Sequence, residues 1–294
     1  TVKKIIKNAT NSFLLRGIGW APADMINLYD ESNNFIEPNA INRTDLGPIY
    51  SASQRNWGCN YAIPFSAFHI MAREDNYHMA KYETPLSAHK IGFKSNYGEL
   101  LPAFIKWDST CNDYTQIKVE KNKPKLISPD EIGDSWSDEL TSADKNLLLN
   151  YFKKIEHLKL YFGYIIFFVG KKEFTIKLSN LNTGVIFEVP RNSLITAINY
   201  QIFDDLLIGN FMKTKLINIK SLYPDFSPYV AKYSDNGFAN SLSELEIYFN
   251  HYKVNSVDYW RDIFIAKSED IFRRNISINN PIWNTAKYIK DYFV

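Results

Sequence analysis

The chain has 294 residues, 45% hydrophobic and 22% charged, with 34 basic and 32 acidic side chains for a formal net charge of +2. This composition supports a buried core and excludes wholesale disorder. The near-neutral balance gives no concentrated basic surface for a phosphate backbone or an anionic lipid, so neither nucleic acid nor membrane is an expected partner. At this length one large domain and two ordinary ones are both open.

Residues 1 to about 50 carry Gly17, Gly19, Pro22, Pro38, Gly47 and Pro48 between short apolar runs, which predicts short strands and ordered loops. Tyr61 to His69 is an apolar run ending in a histidine, and Pro64 within it points to an edge strand or a strand end. Residues 97–107 read as another buried segment, and the polar stretch from Asn112 to Asp130 as the best linker. This places a strand- and loop-rich part at 1–120 and an α+β part at 121–294.

In the second part, Thr141 and Asp144 resemble a capping box ahead of Leu148, Tyr151, Phe152, Ile155 and Leu158 at helical spacing. Residues 161–169 predict a buried strand, Phe174, Ile176 and Leu178 a half-exposed return, and Val185 to Val189 a third strand, together a meander. A helix is expected from about Ser193 to Leu207, stopped at Gly209. Ser241 with Glu244 starts another, and amphipathic segments over 257–274 and 281–292 close the chain.

The two cysteines, Cys59 and Cys111, form no CxxC pair and read as free thiols of a reducing compartment. No signal peptide is visible, and the most apolar stretch, Leu158 to Val169, is too short to span a bilayer. The cytoplasm is the expected location. The first residue is Thr1 rather than Met, so a fragment of a longer protein is an expectation alongside a complete chain.

Phosphate-cradling glycine motifs, a GxSxG elbow, HExxH and HxHxDH are all absent. What remains is a cluster of Ser66, His69, Arg73, Glu74, Asp75, His78 and His89. A strand-end imidazole can offer a neutral nitrogen to a metal, with Asp75 orienting it or joining it. The plainer alternative is a histidine bonded to backbone beside a solvated Arg73 and Asp75. The adjacent Asp204 and Asp205 would point about 100° apart on a helix. They read as solvated helix surface rather than an acid–base pair. Trp136, Asp138 and Glu139 read as helix N-terminal chemistry.

The run Ile63-Pro64-Phe65-Ser66-Ala67-Phe68-His69, continued by Arg73-x-Asp75 and Tyr82-x-Thr84-Pro85-Leu86, resembles a segment of long metallo-β-lactamase-fold hydrolases. The forms in view are lactonase-like proteins and the hydrolase-fold portion of CMP-sialic-acid hydroxylase. Met71, Asn76 and His78 depart from that pattern, where Tyr, Ser and Trp are expected. The resemblance covers about 25 residues. It implies part of an αββα sandwich binding zinc, iron or manganese, with His69 as the strand-end ligand and Asp24 as the earlier aspartate. Residues 142–217 loosely resemble the small sterol-carrier-type module appended to some such hydrolases.

The expectation is therefore an α+β chain: part of a metallo-β-lactamase-like core, then a helix plus three-stranded-sheet module and C-terminal helices. It would be the C-terminal portion of a metal-dependent hydrolase acting on a small-molecule ester, lactone or phosphoester. His69 and Asp24 would be metal ligands, with Arg73 and Asp75 at the reacting centre. An N-terminal half or a partner chain would supply the missing HxHxDH ligands, without which the chain should not turn over substrate. The alternatives are a non-catalytic interaction module that uses the 15% aromatic content, and an iron-dependent oxygenase on the same scaffold.

Overall fold

The structure, a computed structural model, describes residues 2–20, 25–119, 124–256 and 258–275. Asp24 and the segment expected over 281–292 lie outside the described residues. The chain is a mixed α+β fold with more than one sheet.

A short exposed helix, α1 (Val2–Asn8), precedes β1 (Phe13–Arg16) and a two-residue strand, β2 (Leu28–Tyr29). Helix α2 (Gly47–Trp57) begins where Gly47 and Pro48 signalled only a turn. Proline suits the first helical turn, where its missing N–H would have had no partner. Gly47 is required on the spot, because a Cβ there would collide with the Phe93 backbone. The helix stops at Gly58 in the left-handed conformation, φ 75°, whose N–H closes on the Gln54 carbonyl.

Strand β3 (Tyr61–Pro64) lies between β1 and β4 (Glu99–Leu100) and runs parallel to both. The strand-end expectation for Pro64 holds, whereas the edge-strand expectation does not. Pro64 is the last residue of the central strand, beyond the β4 pairing at Tyr61 and Ala62, so its missing N–H breaks no ladder there. Leu46 just before α2, Tyr50 of α2, Ala62 of β3 and Ala88 form a small core. A hairpin of β5 (Ile105–Asp108) and β6 (Asp113–Gln116) lays Trp107 against Phe13 and Tyr61, with ring centroids 4.9 and 4.8 Å apart.

The larger core belongs to the second part. Thr141 and Asp144 form the expected reciprocal capping box of α3 (Ser142–Lys154). After α4 (Leu158–Tyr161) come β7 (Tyr164–Val169), β8 (Lys172–Lys177) and β9 (Gly184–Glu188). They do not form the expected meander. β8 sits at the sheet edge, while β9 lies on the other side of β7 and parallel to it. The side chains explain the order. β7 and β9 are largely apolar, whereas Lys172, Glu173, Thr175 and Lys177 suit an edge exposed to water.

β10 (Lys213–Ile217), absent from the sequence expectation, pairs antiparallel with β9. The sheet then has five strands in the order β2-β10-β9-β7-β8. Register places Ile165, Phe167, Ile176, Val185, Phe187 and Leu216 on one face, all within 1% of full burial. Each such side chain contributes about 1.5–3 kcal/mol by leaving water.

The helix expected from Ser193 to Leu207 is two helices, α5 (Arg191–Asn199) and α6 (Phe203–Ile208). Gln201, at φ 56°, breaks the run. The left-handed residue after α6 is Asn210, at φ 59°, rather than Gly209. Asn210 is nearly fully buried, and its side chain accepts from the Ile26 N–H at 2.8 Å while its carbonyl accepts from Asn27 Nδ2 at 3.1 Å. These bonds seat residues 26–29 so that β2 pairs parallel with β10. A strand from before residue 120 thus completes the sheet of the later part.

Helices α7 (Ser227–Tyr233), α8 (Leu242–Asn255) and α9 (Tyr259–Asn275) follow. Ser241 caps α8 through the Glu244 N–H as expected, but Glu244 returns its bond to the Asn240 N–H. No helix among the described residues is long and apolar enough to cross a membrane.

Candidate functional site

Past Pro64 the chain leaves the sheet and turns at Ser66, which takes a left-handed φ of 58°. Three residues on, His69 is half-buried, and its Nδ1 is shut off from solvent with no hydrogen-bond partner. In the tautomer that carries its proton on Nε2, such a ring has a lone pair on Nδ1 to give, the property a metal ligand needs. Among the described residues no three His, Cys, Asp or Glu side chains come together as a metal site. His69 belongs to no such group. Asp24 lies outside the described residues, and His78 is exposed.

Arg73 and Asp75 are fully committed to each other and to residues far along the chain. Arg73 Nε and Nη2 donate to the two Asp75 oxygens at 2.9 and 2.7 Å, the bidentate fork that guanidinium geometry favours. Nη2 also donates to Asp134 Oδ2 at 2.9 Å, and the guanidinium lies 3.8 Å from the Phe211 ring centre. Trp136 Nε1 donates to Asp75 Oδ2 at 3.0 Å. Asp134, 1% exposed, accepts from the Ser193 N–H and hydroxyl at 2.9 and 2.6 Å in the first turn of α5. Burial alone would pull the Arg73 guanidinium down; Asp75 and Asp134 reverse this and hold it above its ordinary value.

This network joins residues 71–77 to the 127–136 segment and to α5. The Ile127 N–H bonds the Ala72 carbonyl, and the Glu74 N–H bonds the Ile127 carbonyl. The stretch read as a linker therefore pairs with the cluster at its far end. A cleft of about 350 Å³ adjoins the network, lined in part by Ile132, Asp134, Ser193, Leu206 and Phe211. Its Asp134 wall is already hydrogen-bonded to Ser193.

At two polar residues named in the sequence the surroundings were not legible. His89 is 1% exposed and has Nδ1 3.0 Å from Tyr50 Oη. Tyr50 Oη also lies 3.3 Å from the Arg16 carbonyl, which can only accept. The assignment pairing most groups has Tyr50 donating to Arg16 and His89 Nδ1–H donating to Tyr50, which leaves Nε2 a buried lone pair without a partner. No spacing rule marks the short turn carrying His89. The second site is Asp204, which is half-buried while its neighbour Asp205 is exposed. The 100° offset held, but it turned one of the pair inward rather than leaving both in water.

Burial lowers the imidazole of His89, and that of His157 likewise. Both rings bind protons more readily unfolded than folded, so stability is full above the ordinary value of about 6.5 and is lost as pH falls below it. The urea midpoint should fall between about pH 7 and pH 5.5, and His89→Gln should flatten that slope. An unchanged slope in the variant would remove His89 as a contributor.

Compared with protein-family models, with curated proteins and with solved structures, the chain finds no significant match.

Proposed function

We propose that the chain is the C-terminal portion of a metal-dependent hydrolase-like protein of metallo-β-lactamase fold. The single observation that carries this is His69 Nδ1, buried and unpaired just beyond the end of β3. It stands in the run Ile63 to His69 that bears the family resemblance. In this reading β1, α2 and β3 belong to one half of an αββα sandwich, and His69 is one ligand. The remaining ligands come from residues outside those described, on the same protein or on a partner chain, with Asp24 among the candidates.

Zinc, iron or manganese would polarise a small ester, lactone or phosphoester and activate water for attack. The chain's own contribution is placement. Met71, two residues after the ligand, donates its N–H to Glu83 Oε1 at 2.6 Å, and Arg73 clamps the next stretch to Asp75 and Asp134. Arg73 and Asp75 then serve by holding the ligand segment in register, and the lone pairs of Asp75 are spent on Arg73 and Trp136.

Metal content of the purified protein beside its His69→Ala variant tests the proposal, with circular dichroism confirming that both fold. The expected outcome is a drop of at least about tenfold on losing one of three or four ligands. Equal metal content in the two proteins removes His69 from the site.

A second reading, a non-catalytic interaction module, is favoured by α8 and α9. There Ile247, Val254, Trp260 and Phe264 are 69%, 82%, 76% and 72% exposed. Such apolar surface is the usual mark of a partner surface.

A further inference from the structure

The face of the five-stranded sheet opposite the core carries every second residue of its strands. On β7 these are Tyr164, Ile166 and Phe168, beside Gly184, Ile186 and Glu188 of β9 and Lys177, Thr175 and Glu173 of β8. On the far side of β9, β10 adds Ile217, Lys215 and Lys213. A sheet face turned to water is ordinarily polar, whereas strands covered on both faces read as continuous apolar runs. The run Tyr164–Val169 reads the second way. Yet Tyr164, Ile166, Phe168, Ile186 and Ile217 are only half-buried, and they belong to none of the core clusters among the described residues.

A Cβ on Gly184 would collide with the Tyr164 ring, so that ring lies over the β9 backbone. Next to it opens a hollow of about 440 Å³, lined in part by Tyr164, Ile166, Thr175, Lys177 and Leu181. The margin of the face is charged. Lys177 and Glu173 stand exposed at opposite ends of the edge strand β8, and among the described residues neither is in an ion pair. Lys213, by contrast, stands opposite Glu188 in register and lies over the Tyr29 ring at 4.3 Å.

We propose that this face binds the same face of a second copy of the chain, about a two-fold axis that crosses the strands at the Ile166–Ile186 pair. The charges select this occupant. Such an axis sets each strand over its own copy with the two ends exchanged. Ile166 and Ile186 then meet themselves, Phe168 comes over Tyr164 and the hollow, and Lys177 comes over Glu173 at two symmetric places. Sheets packed in this way lie about 10 Å apart with their strands within about 30° of one another. Lys215 meets its own copy, and Asp30 is near enough to offset that charge. The contact is independent of the His69 site.

Sedimentation equilibrium of the whole protein from about 1 to about 100 μM tests it. The parent should associate to two chains. Ile166→Lys, which leaves the core face intact, should stay monomeric with an unchanged circular dichroism spectrum. Lys177→Glu and Glu173→Lys each set like charges across the contact twice, by symmetry, and each alone should weaken association at least about tenfold. Mixed one to one, the two variants should pair as tightly as the parent, because each carries the charge that the other lacks. Neither another protein nor a segment of the same chain would give that result. Four outcomes overturn the proposal: a parent still monomeric at about 100 μM, association that survives Ile166→Lys, charge variants that associate like the parent, or a mixture no tighter than its parts. Should Ile166→Lys fail to fold, the two charge variants, both at exposed positions, carry the test alone.

Discussion

Replacing Arg73 with alanine should lower the unfolding free energy by about 3–5 kcal/mol, the scale of breaking a buried ion pair. Arg73 and Asp75 side chains are 17% and 13% exposed, and Asp134 is 1% exposed. Without the guanidinium, Asp134 keeps Ser193 but loses its countercharge, and Phe211 loses the group stacked on it. Lysine should restore only part of the loss, because a single ammonium cannot serve two carboxylates and an aromatic face with the same geometry. Urea denaturation measures this. A loss below about 1 kcal/mol, typical of exposed pairs, would mean that the network is ornamental.

The second large effect is expected at Phe167→Ala, a loss of about 3–5 kcal/mol. The ring is fully buried on β7, between β9 and the edge strand β8. Its neighbours are Phe152, Phe187 and Phe203, with centroids 5.4, 5.6 and 6.3 Å away. All are held by other contacts and cannot collapse far into the space left. Phe168 faces the opposite side of β7 and is half-buried, so its alanine variant should lose distinctly less. Equal losses at the two positions would contradict the register of β7 on its neighbours.

These two sites show what the sequence disclosed and what it hid. Local chemistry was legible. The Thr141 cap, the β7 run, the hairpin at Gly170 and the end of β3 at Pro64 depend on residues close together in the chain. Order within the sheet was not, since the place of β9 beside β7 depends on which strands tolerate an edge. Gly47 and Pro48 misled because the same pair that makes a turn also starts a helix. Asn210 hid for the opposite reason: its bonds reach Ile26 and Asn27, more than 180 residues away.

Of the candidate site, Arg73 and Asp75 were found by pattern, but their partners Asp134, Trp136 and Phe211 come from distant segments. Charge in a cluster looks the same on paper whether it serves substrate or fastens two parts of a fold. His69 differs from them in having a nitrogen left over.

The most direct test of that difference is a ligand swap. The protein carrying His69→Cys is loaded with cobalt(II), and its absorption spectrum is compared with that of the cobalt-loaded parent. If His69 binds the metal, the variant gains a sulfur-to-cobalt charge-transfer band that the parent lacks. A variant that takes up cobalt to the parent's stoichiometry and shows no such band would place the metal elsewhere and end the hydrolase proposal for this histidine.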